Sequence, residues 1–227
     1  SAASDVYKRQ EYNFAQWDAS HGMMTAMYYR LYFGITMANY FLENTVDDAT
    51  ATDLRAEARF LRALYYYYAM DFYGNIPLIV KVSTEQAEQS DRKTIYEFIE
   101  KELLECVDDM KEPRTNTYGR ADKAAAWLLL ARLYLNAEVY TGTPQWGLAV
   151  TYAEKVLESG YTLCKPYKNL FMGDNNTNGA QNEIILPILQ DGIDTQNYGC
   201  GTFLIAATHK TDMNNACLLY TSPSPRD

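Results

Sequence analysis

The sequence predicts a mostly α fold, a TPR-like helical repeat scaffold followed by a loop-rich, short-strand C-terminal part. Three observations carry that expectation. Residues 55–77, RAEARFLRALYYYYAMDFYGNIP, are periodic over a long run and closed by turn residues. A similar pattern returns 68 residues further on. After Gly160 the helical period gives way to Gly- and Asn-rich stretches.

The central stretch reads as a helix from about Thr52 to Phe72 with a hard stop. Leu54, Ala58, Leu61, Tyr65, Tyr68 and Phe72 recur at the three-and-four spacing of one helical face. Ala56, Phe60, Ala63, Tyr67 and Met70 fill much of the other side, so neighbouring elements must cover both flanks from Phe60 onward. Gly74 can take the left-handed conformation past the last turn, and Pro77 forbids resumption. Each buried Tyr needs a partner for its hydroxyl.

Taken in order, Glu11 to Gly22 has no sustained period and reads as a loop. Met23 to Asn44 is helical, with Met27, Leu31, Ile35, Ala38 and Leu42 on its apolar face. A short polar link, Asn44 to Thr52, then makes it an antiparallel neighbour of the central helix. Leu78 to Ser90 is extended. Thr94 and Glu97 have capping-box spacing, which starts a third helix near Thr94 that ends before Pro113. Asp122 can cap a fourth, ADKAAAWLLLARLYLNAEVY, which Gly142 and Pro144 end. Trp146 to Glu158 makes a fifth, stopped by Gly160, and Glu183 to Leu189 reads as a short strand.

The repeat joins two of these helices. At an offset of 68, Ala56, Ala58, Leu61, Ala63, Tyr66, Ala69, Phe72 and Gly74 align with Ala124, Ala126, Leu129, Ala131, Tyr134, Ala137, Tyr140 and Gly142. A tetratricopeptide repeat runs about 34 residues, so the central and fourth helices read as equivalents two periods apart.

Composition narrows the function. With 227 residues the chain can bury a real core. A net charge of −9 without a basic run argues against a nucleic-acid surface. The 20 Tyr suit apolar yet hydrogen-bonding interfaces, sugar-stacking surfaces included. Cys106, Cys164, Cys200 and Cys217 have no CxxC or metal-ligand spacing and read as free thiols. No apolar run is long enough for a membrane span. Residues 1–10 and 217–227 are unlike the rest and read as non-native ends, resembling translated read-through of sequencing adapters. The TPR-like part is therefore expected at 11–216, as an internal fragment of a longer protein whose signal and anchor lie outside it.

Motifs for chemistry are weak. Asp174, Asn176, Asn178 and Gly179 imitate the start of a calcium loop, but Ile185 stands where a bidentate Glu is needed, so an Asx-rich turn is expected. His21 and His209 are the only histidines, read as surface or loop residues, and neither sits in HExxH. Gly199-Cys-Gly201 lacks the rest of a dinucleotide loop. Asp108 and Asp109 read as a solvated helix face, and Arg55, Arg59 and Arg62 as ion-pairing and packing residues near Glu57. No catalytic residue, metal site or cofactor is predicted.

Several stretches in order resemble the SusD/RagB family: RAEARFLRALYYYYAMDFYGNIPLI, DRKTIYEFIEKELLECVDDM, YGRADKAAAWLLLARLYLNAE, YAEKVLESGYTL, YKNLF and NEIILPI. The resemblance implies a non-catalytic, surface-exposed outer-membrane lipoprotein that binds polysaccharide or oligosaccharide and pairs with a SusC-like TonB-dependent transporter. Family members are typically much longer, and none of the four cysteines can stand in for the lipid-bearing Cys.

A sugar site needs an exposed flat aromatic beside amides or carboxylates. Trp17 with Asn13, Asp18 and His21 meets that need in the first loop. Gln196, Asn197 and Tyr198 meet it in a later loop, after the segment where the resemblance places ligand contacts. The alternative is a TPR-type adaptor, which would instead bind protein partners on its helices.

Overall fold

A computed structural model describes Phe14, Trp17, Asp18 and residues 20–84 and 87–189. The chain divides into a compact unit of Met27–Ile188 and a second of Ser1–Ala26 with Leu189–Asp227. The expected non-native ends lie outside the described residues.

Five longer elements build the scaffold: α1 (Gly22–Asn44), α2 (Thr52–Tyr73), α3 (Arg92–Cys106), α4 (Lys123–Leu135) and, after the short α5 (Ala137–Thr141), α6 (Trp146–Glu158). Between α2 and α3 the extended segment pairs its two ends antiparallel, β1 (Ile76–Pro77) against β2 (Gln89–Ser90). Short 3-10 helices follow at Val107–Asp109, Tyr167–Phe171 and Ala180–Asn182.

α2 packs along α3, and α4 along α6. The α2 residues Phe60, Ala63, Tyr66, Ala69 and Met70 meet Ile95, Ile99 and Leu103 of α3 and Leu130 and Leu133 of α4 in one core. Two tyrosines here are hydrogen-bonded, whereas the buried Tyr96 hydroxyl has no partner among the described residues. Tyr66 Oη donates to the Ile79 carbonyl at 2.8 Å and accepts the Ile79 N–H at 2.7 Å. Tyr32 Oη donates to the Pro77 carbonyl at 2.7 Å. These bonds tie the extended segment to α1 and α2.

α1 and α2 run antiparallel, as expected. Gly34 lies against Tyr65, the Arg62 guanidinium donates to Asn39 Oδ1, and that of Arg55 to the Leu42 carbonyl. Advancing along α1 thus retreats along α2. The arginines are packing and pairing residues, as the sequence suggested: Arg55 satisfies carbonyls at the end of α1, while Arg59 and Arg62 converge on Glu102 of α3.

Several expectations need correction. The α2 face named first is the less covered one, with Leu61 and Phe72 exposed, whereas Ala56, Phe60, Ala63, Tyr67 and Met70 are buried. Both faces are apolar, so period alone cannot say which one α3 and α4 will cover. Asp91, not Thr94, caps α3, accepting the Thr94 N–H at 2.7 Å from the β-region backbone that an N-cap requires. The fourth helix breaks at Asn136 into α4 and α5 before Gly142 ends it at φ 79°. Glu183 to Leu189 is not a strand. Pro187 removes a ladder donor, and the described residues supply no strand beside it.

The repeat holds at six of its eight pairs. Ala56/Ala124, Ala58/Ala126, Ala63/Ala131, Tyr66/Tyr134 and Ala69/Ala137 are buried in both helices, and Gly74 and Gly142 both have positive φ. At the other two the environments part. Leu61 is 40% exposed against 4% for Leu129, and Phe72 is exposed where Tyr140 is buried and donates to Asp71 Oδ1 at 2.6 Å. The first face of α2 lacks the cover that α4 has.

Candidate functional site

The Trp17 loop is a turn that leads into α1. Asp18 Oδ1 accepts both the backbone N–H of Ser20 at 2.8 Å and its hydroxyl at 2.6 Å. Those bonds hold the carboxyl below the usual carboxylate range, the hydroxyl first and the backbone N–H second. The Asp18 carbonyl accepts the His21 N–H at 3.1 Å, and the His21 carbonyl accepts the Thr25 N–H at 3.0 Å as the helix begins. Trp17 is 46% exposed and Asp18 lies in water. His21 is a loop residue, as one half of its expected placement has it, but it is buried rather than on the surface. Chemically, the loop offers an indole surface and a carboxylate already held by its own turn. Gln196, Asn197 and Tyr198 lie outside the described residues.

A second exposed aromatic feature follows α6, in the YKNLF stretch. Within the 3-10 helix Tyr167–Phe171 the two terminal rings stand 5.2 Å apart at 65°. The loop beneath them is locked: Asn169 Nδ2 donates to the Asn178 carbonyl at 3.1 Å and Asn178 Nδ2 to the Asn169 carbonyl at 3.0 Å. Asn178 Nδ2 also reaches Asp174 Oδ1, and the Asp174 carbonyl accepts the Thr177 and Asn178 N–H groups. This is the Asx-rich turn expected in place of a calcium loop. Glu183, which follows this turn, accepts the Cys164 N–H. An aromatic pair four residues apart between Pro166 and Gly173 was the available sequence signal.

Asp122 anchors this loop to the scaffold. Besides capping α4 through the Ala124 and Ala125 N–H groups, it accepts the Arg114 N–H at 2.8 Å and the Tyr161 hydroxyl at 2.7 Å. Arg114 donates onward to the Gly160 carbonyl and to Asn182 Oδ1.

A third feature is an open groove of about 560 Å³ between α1 and α2. Phe33, Met37, Phe41, Leu54, Leu61 and Tyr65 dominate its walls. Glu57 closes one end, paired with Arg120 at 2.9 Å and with the Asn116 amide at 2.9 Å.

Residues 1–135 match a family described as starch-binding and associating with the outer membrane, SusD-like. The chain belongs to the SusD-like family. The starch-binding protein SusD of Bacteroides thetaiotaomicron is 46% identical to this SusD-like chain over 200 residues, or 87% of this chain and 36% of the relative. A crystal structure with a xylogluco-oligosaccharide is 31% identical with a TM-score of 0.67, over 75% of this chain and 36% of that one. A laminarin binding SusD-like protein is 25% identical with a TM-score of 0.59, over 68% of this chain and 36% of that one. The chain thus spans about a third of the length of the curated relatives it matches. The mostly helical architecture is the one these SusD-like neighbours share.

Proposed function

We propose that this chain supplies the helical scaffold of a non-catalytic glycan-binding protein that acts at the outer-membrane surface. The observation that carries this is the family match together with the 46% identity to a starch-binding relative. Relatives described with xylogluco-oligosaccharide and with laminarin support a polysaccharide or oligosaccharide as the ligand class. In this reading Trp17 stacks on a sugar ring, Asp18 and His21 support it, and Gln196, Asn197 and Tyr198 contribute from the later loop. Delivery to a SusC-like TonB-dependent transporter, and attachment through a lipid anchor carried by the longer protein, complete the proposal.

Trp17→Ala tests the site. Loss of a buried core Trp costs about 3–5 kcal/mol of stability, whereas loss of an exposed stacking ring lowers affinity and leaves the melt intact. Affinity electrophoresis on amylopectin, xyloglucan and laminarin, paired with thermal melting, separates the two. Unchanged retention with an unchanged melt removes Trp17 from the site.

One observation favours the adaptor reading: the α1–α2 groove is an open, apolar surface carried on helices, as a protein ligand requires. Phe33→Asp with Leu61→Asp should abolish a protein partnership and spare glycan retention if both surfaces operate.

A further inference from the structure

We propose that Tyr167 and Phe171 form a second glycan-binding subsite, one that takes successive sugar residues of an oligosaccharide. The proposal rests on the carbohydrate-binding reading and adds a place and a size requirement to it.

The argument starts with exposure. Both rings are 70% exposed, so the fold leaves unburied two of its larger apolar side chains. They are not on a loose segment. The reciprocal Asn169–Asn178 bonds, the Asn175 amide on the Leu170 carbonyl and the Ala180 N–H on Asn178 Oδ1 satisfy the loop from within. Asp122 and Arg114 then fasten its flanks through Tyr161 and Asn182. A backbone held in place before binding loses little freedom when a ligand arrives.

The chemistry around them is amphiphilic. Lys168, Asp174 and Asn176 are exposed in the same loop and supply donors and acceptors for hydroxyl groups. A pyranose presents the matching combination of an apolar C–H face and a hydroxyl rim. At the end of the α1–α2 groove, by contrast, Glu57 and Arg120 are already paired with each other. Ring geometry sets the ligand size. Planes inclined at 65° cannot both lie flat on one sugar, so the pair fits two residues of a bent chain better than a monosaccharide.

The test uses the full chain, as wild type, as Trp17→Ala and as Tyr167→Ala/Phe171→Ala. Probes are amylopectin, xyloglucan and laminarin in affinity electrophoresis, glucose in calorimetry, and N-acetylimidazole modification of Tyr167 followed by mass spectrometry. The double variant is expected to bind the retained polysaccharide about tenfold more weakly with an unchanged melt. The polysaccharide slows Tyr167 acetylation in the wild type, and glucose does not. Retention of the double variant equal to wild type overturns the subsite while leaving the carbohydrate reading standing. So does Tyr167 acetylation at the same rate with and without polysaccharide, whatever the melt. No retention of the wild type on any of the three polysaccharides instead sinks the carbohydrate reading itself.

Discussion

The Tyr65 ring occupies the space beside Gly34 so closely that a β-carbon added to Gly34 would lie 2.4 Å from it. A glycine in a helix interior ordinarily costs about 1 kcal/mol relative to alanine. Here the missing side chain is what lets α2 place a tyrosine against α1 at the floor of the groove. Gly34→Ala should therefore destabilise the chain by about 1 kcal/mol net, overpacking outweighing the propensity gain. In a Tyr65→Ala background the same change should be neutral or stabilising. A double-mutant cycle in urea measures the coupling, and additive effects would count against the contact.

Glu102 holds two arginines of α2 at once. It accepts from Arg62 through Oε2 and from Arg59 through Oε1, and both Glu102 and Arg62 are buried. Removing one member leaves a buried charge unpaired. Glu102→Ala should cost about 3–5 kcal/mol, far more than Glu105→Ala, whose ion pair with Arg59 is exposed. Chemical denaturation of the two variants checks the ranking, and equal losses would refute it.

Asp122 is the junction between the repeat and the loops after α6. Asp122→Ala should lower stability by about 2–4 kcal/mol through the lost cap and the lost charged hydrogen bonds. Tyr161→Phe removes only one of those bonds and should cost about 1–3 kcal/mol. Hydrogen exchange should then show faster opening of residues 161–183 in Tyr161→Phe with α2 and α3 unaffected. Uniform acceleration would mean that the contact supports the whole unit.

Burial pushes the Cys106 thiol up to about 12, above an unfolded value of about 8.5. Burial likewise raises Tyr32, Tyr96, Tyr134 and Tyr140. A raised folded pKa means that the fold favours the neutral form. Its contribution is complete below the unfolded value and is lost as pH climbs toward the folded one. Unfolding free energy should therefore fall from about pH 8.5, where the unfolded thiol ionises, and further near about pH 10, where the unfolded phenols do. Iodoacetamide at pH 8 should label half-buried Cys164 and leave Cys106 intact, with peptide masses giving the result.

Much of the scaffold was legible in the residues themselves. Asp122, Gly142 and Gly160 mark their helix ends because capping and left-handed turns depend on a few adjacent backbone groups. The antiparallel α1–α2 pairing followed from a short polar link, and the repeat from alanines that recur where helices approach closely. Trp17 was legible as exposed for a similar reason, since a short polar loop cannot cover an indole by itself.

Other features needed partners distant in the chain. Two apolar faces of α2 looked alike until α3 and α4 took one and left Leu61 beside the groove. Glu183 to Leu189 carried strand-like residues, yet a strand exists only where another strand accepts its hydrogen bonds. Asp91 and Thr94 are both competent caps, and the backbone conformation chose Asp91. Tyr167 and Phe171 gave no periodic signal, because a 3-10 helix of five residues is too short to have a period. Sequence alone determined the elements and their punctuation, since those rest on local bonds. Tertiary structure decided burial and the candidate binding surfaces, since each is set by which distant side chains exclude water.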